Sequence, residues 1–403
     1  MRTWLTAWVD IQRQLVRKHD LIAEIEAETI TYTRLGGYNS RPYSCELDIL
    51  NGLSAKSLKG VLRWWSRVAV VGALGGTIDY AEANKYLKQI YGGVRRREGE
   101  KTTASKIQLT VFSPSSEQRA KDAQNIHQKH HESRDRLPPR MILLLMGRDQ
   151  RVKEEELKTL ETKNMKFKIQ LLGERNPRLC NFVMASLLMA LILGGVGSIT
   201  KRGFGSLKLN RVDCERVVAD KLIKIGKKLS GPSITADELE KTLRELVKVS
   251  IEYAKECFNL SGSPQPVGVP LAPSLDASFK VFNLKVVECQ RIDLATIGEA
   301  TLKSNLRIHT WMLGLPRSVR KSGYLNGGTS LRRMSSIGIR LFDGGETKFV
   351  IIYGFLSKDW PNNLKLLSKG MLIEKINMTQ IEDTYRKTFE AVTNYLVKMC
   401  CKP

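Results

Sequence analysis

Between residues 21 and 33 (LIAEIEAETITYT) apolar and polar side chains partly alternate and β-branched residues are enriched, the pattern of a half-buried strand. A Gly36-Gly37 turn and a polar, Tyr-containing loop follow, and then the period changes. Over 55–71 the residues Leu58, Val61, Leu62, Trp65, Val68 and Ala69 recur at helical spacing, with Ser54 placed to cap the start. Strand patterns return at 106–112 (KIQLTVF), 140–146 (RMILLLM) and 166–172 (KFKIQLL); a helix is predicted at 178–193 and a last strand at 203–209. The order is β-α-β-β-α-β with one additional strand, that of a ferredoxin-like (RRM-like) domain over 21–213. Residues 1–20 form an extension with an amphipathic helical pattern, and 114–139 is a polar insertion.

Residues 214–258 are helical by period, and 260–274 (LSGSPQPVGVPLAPS) has the proline and glycine content of a linker. Behind this 214–275 segment the pattern restarts: a strand at 278–288, a helix near 294–307, strands at 336–342 and 348–356, and an amphipathic helix over 378–398. Residues 276–403 thus predict a second, degenerate copy of the first domain. The fold class expected is α+β, two ferredoxin-like (βαββαβ) domains with helical insertions.

Composition changes this picture in one respect. The chain has 403 residues, with 65 Lys+Arg against 41 Asp+Glu, a net charge of +24. A charge of that size predicts an anionic partner, nucleic acid first among them. The longest apolar run, Phe182 to Leu193, is shorter than the roughly 18 residues a bilayer demands, so no membrane partner is expected. Seven scattered cysteines, never spaced C-x-x-C, predict a reducing, cytoplasmic setting without a disulfide framework or a zinc site.

The charge is concentrated. Lys56, Lys59, Arg63 and Arg67 fall at spacings of 3, 4 and 4, on the helix face opposite the apolar one, and no acid occurs from Ile49 to Ile78. An ordinary surface helix intersperses Glu to form i,i+4 pairs; an unneutralised ladder suits phosphates. Gly60 shares that face and leaves room for a backbone to approach. A second feature is GGVGSITKRGFGSL, Gly194 to Leu207. It fits no G-x-x-x-x-G-K-[ST] register and contains no G-x-G-x-x-G, which excludes both common nucleotide cradles. What it contains is Gly195, Val196, Gly197, five residues, Gly203, Phe204, Gly205, Ser206 and Leu207, with Lys201 and Arg202 near its end.

This helix–glycine loop–strand arrangement resembles the RAMP superfamily of CRISPR-associated proteins, whose glycine-rich loop has that spacing. SLKGVLRWWSR, 57–67, is similar to the corresponding helix in the subunit-one family of type III-B (Cmr) RNA-targeting complexes, and TWMLGLPRSVR, 310–320, is similar to part of its second domain. The resemblance implies two RAMP domains in a non-catalytic subunit, without cofactor, of an antiviral ribonucleoprotein. It implies contact with the guide RNA near its 3′ region, with single-stranded target RNA and with other RAMP subunits of the complex. Carried to matching positions, the RNA-binding residues are Lys56, Lys59, Arg63, Arg67, Lys201 and Arg202.

Residues 301–342 hold further cations without any Asp or Glu. GLPRSVRKSGYLNGGTSLRR, 314–333, intersperses glycine and Tyr324 with Arg317, Arg320, Lys321, Arg332 and Arg333, which predicts a basic loop for single-stranded nucleic acid. His127, His130 and His131 lie in a polar stretch that suits a solvated loop. The alternative is a RAMP endoribonuclease processing guide RNA, with an imidazole of 127–131 as acid/base. Asp48 is the one acid near the proposed groove; it is expected to cap or to be buried, with a catalytic loop aspartate as its alternative. A basic ribosome-associated or DNA-binding protein is the remaining class.

Overall fold

The computed structural model describes residues 20–31, 33, 53–93, 102–113, 165–197, 200–260, 268–290, 292, 294–301, 310–314, 317–319, 322–326, 334–361, 364–369 and 371–401. It is a mixed α+β fold with antiparallel sheets. In the first half, strand β1 (Asp20–Thr29) precedes helices α1 (Ala55–Ala73) and α2 (Tyr80–Tyr91). Strands β2 (Ile107–Phe112) and β3 (Lys166–Gly173), helix α3 (Pro177–Met189) and strand β4 (Leu207–Cys214) follow. The sheet order is β2-β3-β1-β4, antiparallel throughout.

Local chemistry accounts for these elements. Ser54 Oγ accepts from Ser57 N at the start of α1, and Leu58, Leu62, Trp65, Val68 and Ala69 are buried, as the period predicts. Asn176 caps α3, with Pro177 in its first turn where no N–H is needed. The span Pro177–Gly194 is long and apolar enough to cross a membrane, yet 89% of it lies inside the protein. Helix α2 is an addition to the sequence reading; its signals were the Asp79 cap, which accepts from Glu82 N, and buried Ala83, Leu87 and Ile90 at helical spacing. The last strand begins at Leu207, not 203, because Gly203 and Gly205 take positive φ. The predicted strand at 140–146 and the 114–139 insertion lie outside the described residues.

Between the halves stand α4 (Asp220–Leu229) and α5 (Ala236–Cys257), the latter opened by a Thr235/Glu238 capping box. The end of the proline-rich stretch is fastened to α1 and to the turn after it: Leu275 N donates to Val68 O, and Leu271 N to Gly76 O. The second half has strand β5 (Phe282–Glu288), the short helix α6 (Leu294–Glu299), and strands β8 (Ile337–Asp343) and β9 (Lys348–Phe355), ordered β5-β9-β8. Its last helix is α7 (Ile381–Cys400). A separate sheet, β11-β10-β7-β6, is made of β6 (Arg317–Val319), β7 (Ser322–Asn326), β10 (Leu364–Ser368) and β11 (Met371–Lys375). The predicted basic loop at 314–333 is corrected by this sheet. Strand β7 pairs with β10, some forty residues further on, a partner that local pattern does not reveal.

The free edge of β5 is met by side chains of α5. Val286 N donates to Glu240 Oε2 at 3.0 Å, and Arg244 Nη2 donates to Leu284 O at 3.0 Å. Arg244 also pairs with Glu240, and Lys285 lies 3.4 Å from it. An unpaired strand edge is thereby satisfied without a further strand.

The expectation of unpaired cysteines is corrected. Cys289 and Cys400 form a disulfide across 111 residues, joining the end of β5 to the last turn of α7. Their sequence separation and the odd total hide the pair; the packing of α7 against β5 creates it. In a chain-entropy account a loop of this length contributes about 4–5 kcal/mol.

Candidate nucleic-acid interface

The basic face of α1 is built as its spacing predicts, but it is not bare. Lys56 is exposed. Lys59 Nζ donates to Ser105 Oγ at 2.9 Å; Arg63 lies over the Tyr91 ring at 5.8 Å. Arg67 donates through Nε and Nη2 to Asn84 Oδ1, at 3.1 and 2.9 Å, and lies over the Tyr80 ring at 5.2 Å. Thus α2 supplies Tyr80, Asn84 and Tyr91 as a wall for the cations. All of these partners are neutral, and among the described residues none of the four cations pairs with a carboxylate. Burial pushes the Lys59 pKa down, with Arg63 adding to it; burial likewise lowers Arg67. An incoming phosphate would offset this desolvation. Gly60 faces open space, with nothing within 4 Å of an added Cβ.

Helix α3 runs through a π-helical turn, Ala190–Gly194, into the glycine loop. The loop is fixed from several directions. Thr31 Oγ1 donates to Gly203 O and accepts from Ser206 N, and Val196 N donates to Gly205 O. Phe204 is 1% exposed and sits in the core of the second half, with Leu294, Ile297 and Ile339. From β8, Arg340 reaches in with 0% exposure: its Nη1 donates to Thr200 O and Phe204 O at 2.7 and 2.6 Å, and its Nη2 to Gly205 O at 2.6 Å. Burial pushes the Arg340 pKa down to about 10, far enough above neutrality for it to stay charged. A methyl group at Gly195 would overlap this guanidinium, and one at Gly205 would overlap the Val196 carbonyl. Glycine is needed here because the bare backbone grips an arginine of the same chain.

Lys201 and Arg202 lie at this junction. Arg202 pairs with Ile339 in a parallel bridge, and its Nη2 donates to Leu313 O at 2.7 Å. Lys201 Nζ lies over the rings of Tyr353, Trp64 and Phe355, at 4.5, 5.0 and 5.2 Å. It faces a cavity of about 380 Å³ lined by Trp64, Arg67, Tyr80, Lys201, Phe355 and Asp359, among others. Two cations predicted separately, Arg67 on the helix and Lys201 in the loop, are thus brought to one aromatic-walled cavity between the halves. The rings come from α1, α2 and β9, and no local pattern joins them. Trp64 and Trp65 stand edge-on to, or tilted against, Phe355 and Tyr353, locking α1 to the second half.

Of the other predicted residues, Arg317 falls on β6, in a hairpin with β7. Arg320, Lys321, Arg332 and Arg333 lie outside the described residues, as do His127, His130, His131 and Asp48. Among the described residues no group of three or more His, Cys, Asp or Glu is placed to hold a metal ion.

Comparison with known proteins places these features in context. The family model of the RAMP superfamily matches residues 53–208, from the start of α1 to the glycine loop and the first residues of β4. No curated protein matches the chain. Among solved structures it is similar to Cmr1 from Pyrococcus furiosus in its apo form, with 19% identity and a TM-score of 0.49 over 90% of this chain and 96% of that one. It is similar to a chain of the Type III-B Cmr-beta bound to cognate target RNA, with 14% identity and a TM-score of 0.51 over 93% and 100%. A further Cmr-beta structure, bound to cognate target RNA and AMPPnP in the presence of ssDNA, gives 16% identity and a TM-score of 0.54 over 94% and 100%. At these identities the likeness is one of fold.

Proposed function

Starting from a chain whose residues 53–208 match the family model of the RAMP superfamily, we propose that it is a non-catalytic RNA-binding subunit of a CRISPR type III-B (Cmr) effector ribonucleoprotein. In this reading it works in the cytoplasm beside other RAMP subunits, holds the 3′ region of the guide RNA and helps capture single-stranded target RNA. The observation that carries the reading is the acid-free cation row Lys56, Lys59, Arg63 and Arg67, which runs into the cavity where Arg67 and Lys201 meet Trp64, Tyr80 and Phe355. Cations along a groove take phosphates in series, and rings at its end offer a stacking surface to an unpaired base. A duplex holds its bases inside the stack and leaves such rings unused.

The reading also treats both halves as ferredoxin-like RAMP domains. The first sheet has the strand order of a βαββαβ unit, with α2 inserted. The second, β5-α6-β8-β9-α7 in order β5-β9-β8, corresponds to the same unit with no fourth strand among the described residues, and the place beside β5 is taken by Glu240 and Arg244.

The test is a mobility-shift titration with labelled single-stranded RNA and the matching duplex. Binding of the single strand, lost in Arg63→Glu/Arg67→Glu with an unchanged circular dichroism spectrum, is expected, and the RNA should be recovered intact. Equal binding by that variant rejects the interface. Site-specific cleavage by the wild type rejects the non-catalytic assignment.

A further inference from the structure

We propose that Arg340 is a positioning residue for RNA: from the second half of the chain it sets the glycine loop that presents Lys201 to the cavity. The inference rests on the RNA-binding reading above, in which Lys201 is one of the contacting cations.

The buried guanidinium is the starting point. Taking an arginine out of water is costly, and a buried one is ordinarily paired with a carboxylate. Arg340 has backbone carbonyls instead, those of Thr200, Phe204 and Gly205. They flank Lys201 and Arg202 in sequence, so one rigid side chain clamps both ends of the segment that carries the two cations. The planar fork of the guanidinium suits this work, since it presents donors in fixed directions to acceptors that converge. The strand that bears Arg340 adds main-chain contacts: Ile339 N donates to Lys201 O at 3.2 Å, and Leu341 N donates to Ser206 Oγ at 3.0 Å. Three consecutive residues of β8 therefore hold the loop, and the middle one does so through its side chain.

The same geometry aims Lys201. Its carbonyl is tied to β8, while its ammonium group lies over Tyr353 and Phe355 of β9 and Trp64 of α1. Tyr353 OH donates to Leu193 O at 2.7 Å, fixing that ring to the end of the π-helical turn. The amine is buried against these rings; if the loop shifted, it would leave them and the residue would leave the cavity wall. Arg340 itself lines no part of the cavity, so its effect on RNA has to pass through Lys201.

The experiment is a double-mutant cycle between positions 340 and 201, read as affinity for labelled single-stranded RNA. Arg340→Lys keeps a cation but cannot span all the carbonyls, and Gly195→Ala displaces the guanidinium from the other side without altering its charge. Each is first compared with wild type by near-ultraviolet circular dichroism, and affinity is measured at a temperature where the folded signal is complete. Lys201→Met is expected to weaken binding about 10-fold and to reduce the salt slope by about one. Arg340→Lys is expected to weaken binding by a similar factor, and the double variant to bind no worse than Lys201→Met alone. Additive losses overturn the inference, since they would show that Arg340 acts elsewhere. Wild-type binding by Lys201→Met, with Arg63→Glu/Arg67→Glu still inactive, also overturns it and leaves the RNA reading standing. Full binding by Arg63→Glu/Arg67→Glu rejects the RNA reading itself.

Discussion

On the more exposed face of the first sheet, Glu24, Glu26 and Glu28 of β1 form a row between cations on both neighbours. The register sets Glu26 opposite Lys168 and Arg211, and Glu28 opposite Lys166 and Lys208. Lys168 Nζ lies 2.6 Å from Glu24 Oε1, and Gln170 Nε2 donates to the other carboxylate oxygen. On α1 the cations are as many, but among the described residues they meet only hydroxyl, amide and ring groups of the protein. One surface carries carboxylate partners for its cations, Glu24 for Lys168, Asp213 for Arg211 and Asp343 of β8 for Lys208; the other has none among the described residues. Counting basic residues does not distinguish the two, whereas asking what each charge already touches does.

The contrast between the two surfaces is open to measurement. The largest effect is expected from charge reversal: Arg63→Glu/Arg67→Glu should lower RNA affinity by about 100-fold or more, whereas Lys166→Glu/Lys168→Glu should change it by no more than about threefold. Comparable losses from the two variants, measured by filter binding, would erase the distinction. Next is the salt dependence. Lys56→Ala should lower the slope of log affinity against log salt by about one, while Lys208→Ala leaves it unchanged.

Acid separates the surfaces in another way. The hydrogen bond from Gln170, then Lys168, holds the Glu24 carboxyl below its ordinary value of 4.5. Burial pushes Glu240 up, but the Val286 N–H, Arg244 and Lys285 outweigh it and hold that group low as well. A carboxylate with a depressed folded pKa stabilises fully above its unfolded value, and that stability is lost as pH falls through the folded value. Urea midpoints should therefore fall as pH drops below about 4.5, and Glu240→Gln should flatten the decline. From pH 8 to about 5 RNA affinity should stay nearly constant, since no carboxylate or histidine belongs to the α1 row. The smallest effect is that of Gly60→Ala, which should stabilise α1 by about 0.5–1 kcal/mol in thermal melts. An accompanying loss of affinity would place RNA backbone directly against this position.

What could be read in advance follows from the range of the interactions. Helix α1 and its two faces were legible because period and charge lie within nineteen residues. Helix α2 carries weaker signals, a capping aspartate and spaced apolar residues without a long apolar stripe. Strand β11 carries no strand signal, because Met371, Leu372 and Ile373 do not alternate with polar residues and all three are exposed. The glycine demand of 194–207 was visible, but its cause was not: Arg340 lies 135 residues beyond Gly205, and nothing in the local sequence of either announces the other. The same holds for the Cys289–Cys400 bond. For the candidate site, the cations on α1 and in the loop could be named beforehand, while the rings that gather them belong to three separate elements.

The edge of β5 has one more consequence. Open strand edges are where sheets extend, from one molecule to the next and eventually into insoluble assemblies. Here extension is barred by Glu240 and Arg244, two side chains one helical turn apart. Loss of either uncovers the 7-residue strand Phe282–Glu288, rich in Val and Leu, to any other chain in solution. Damage at this helix would first be felt as a loss of solubility.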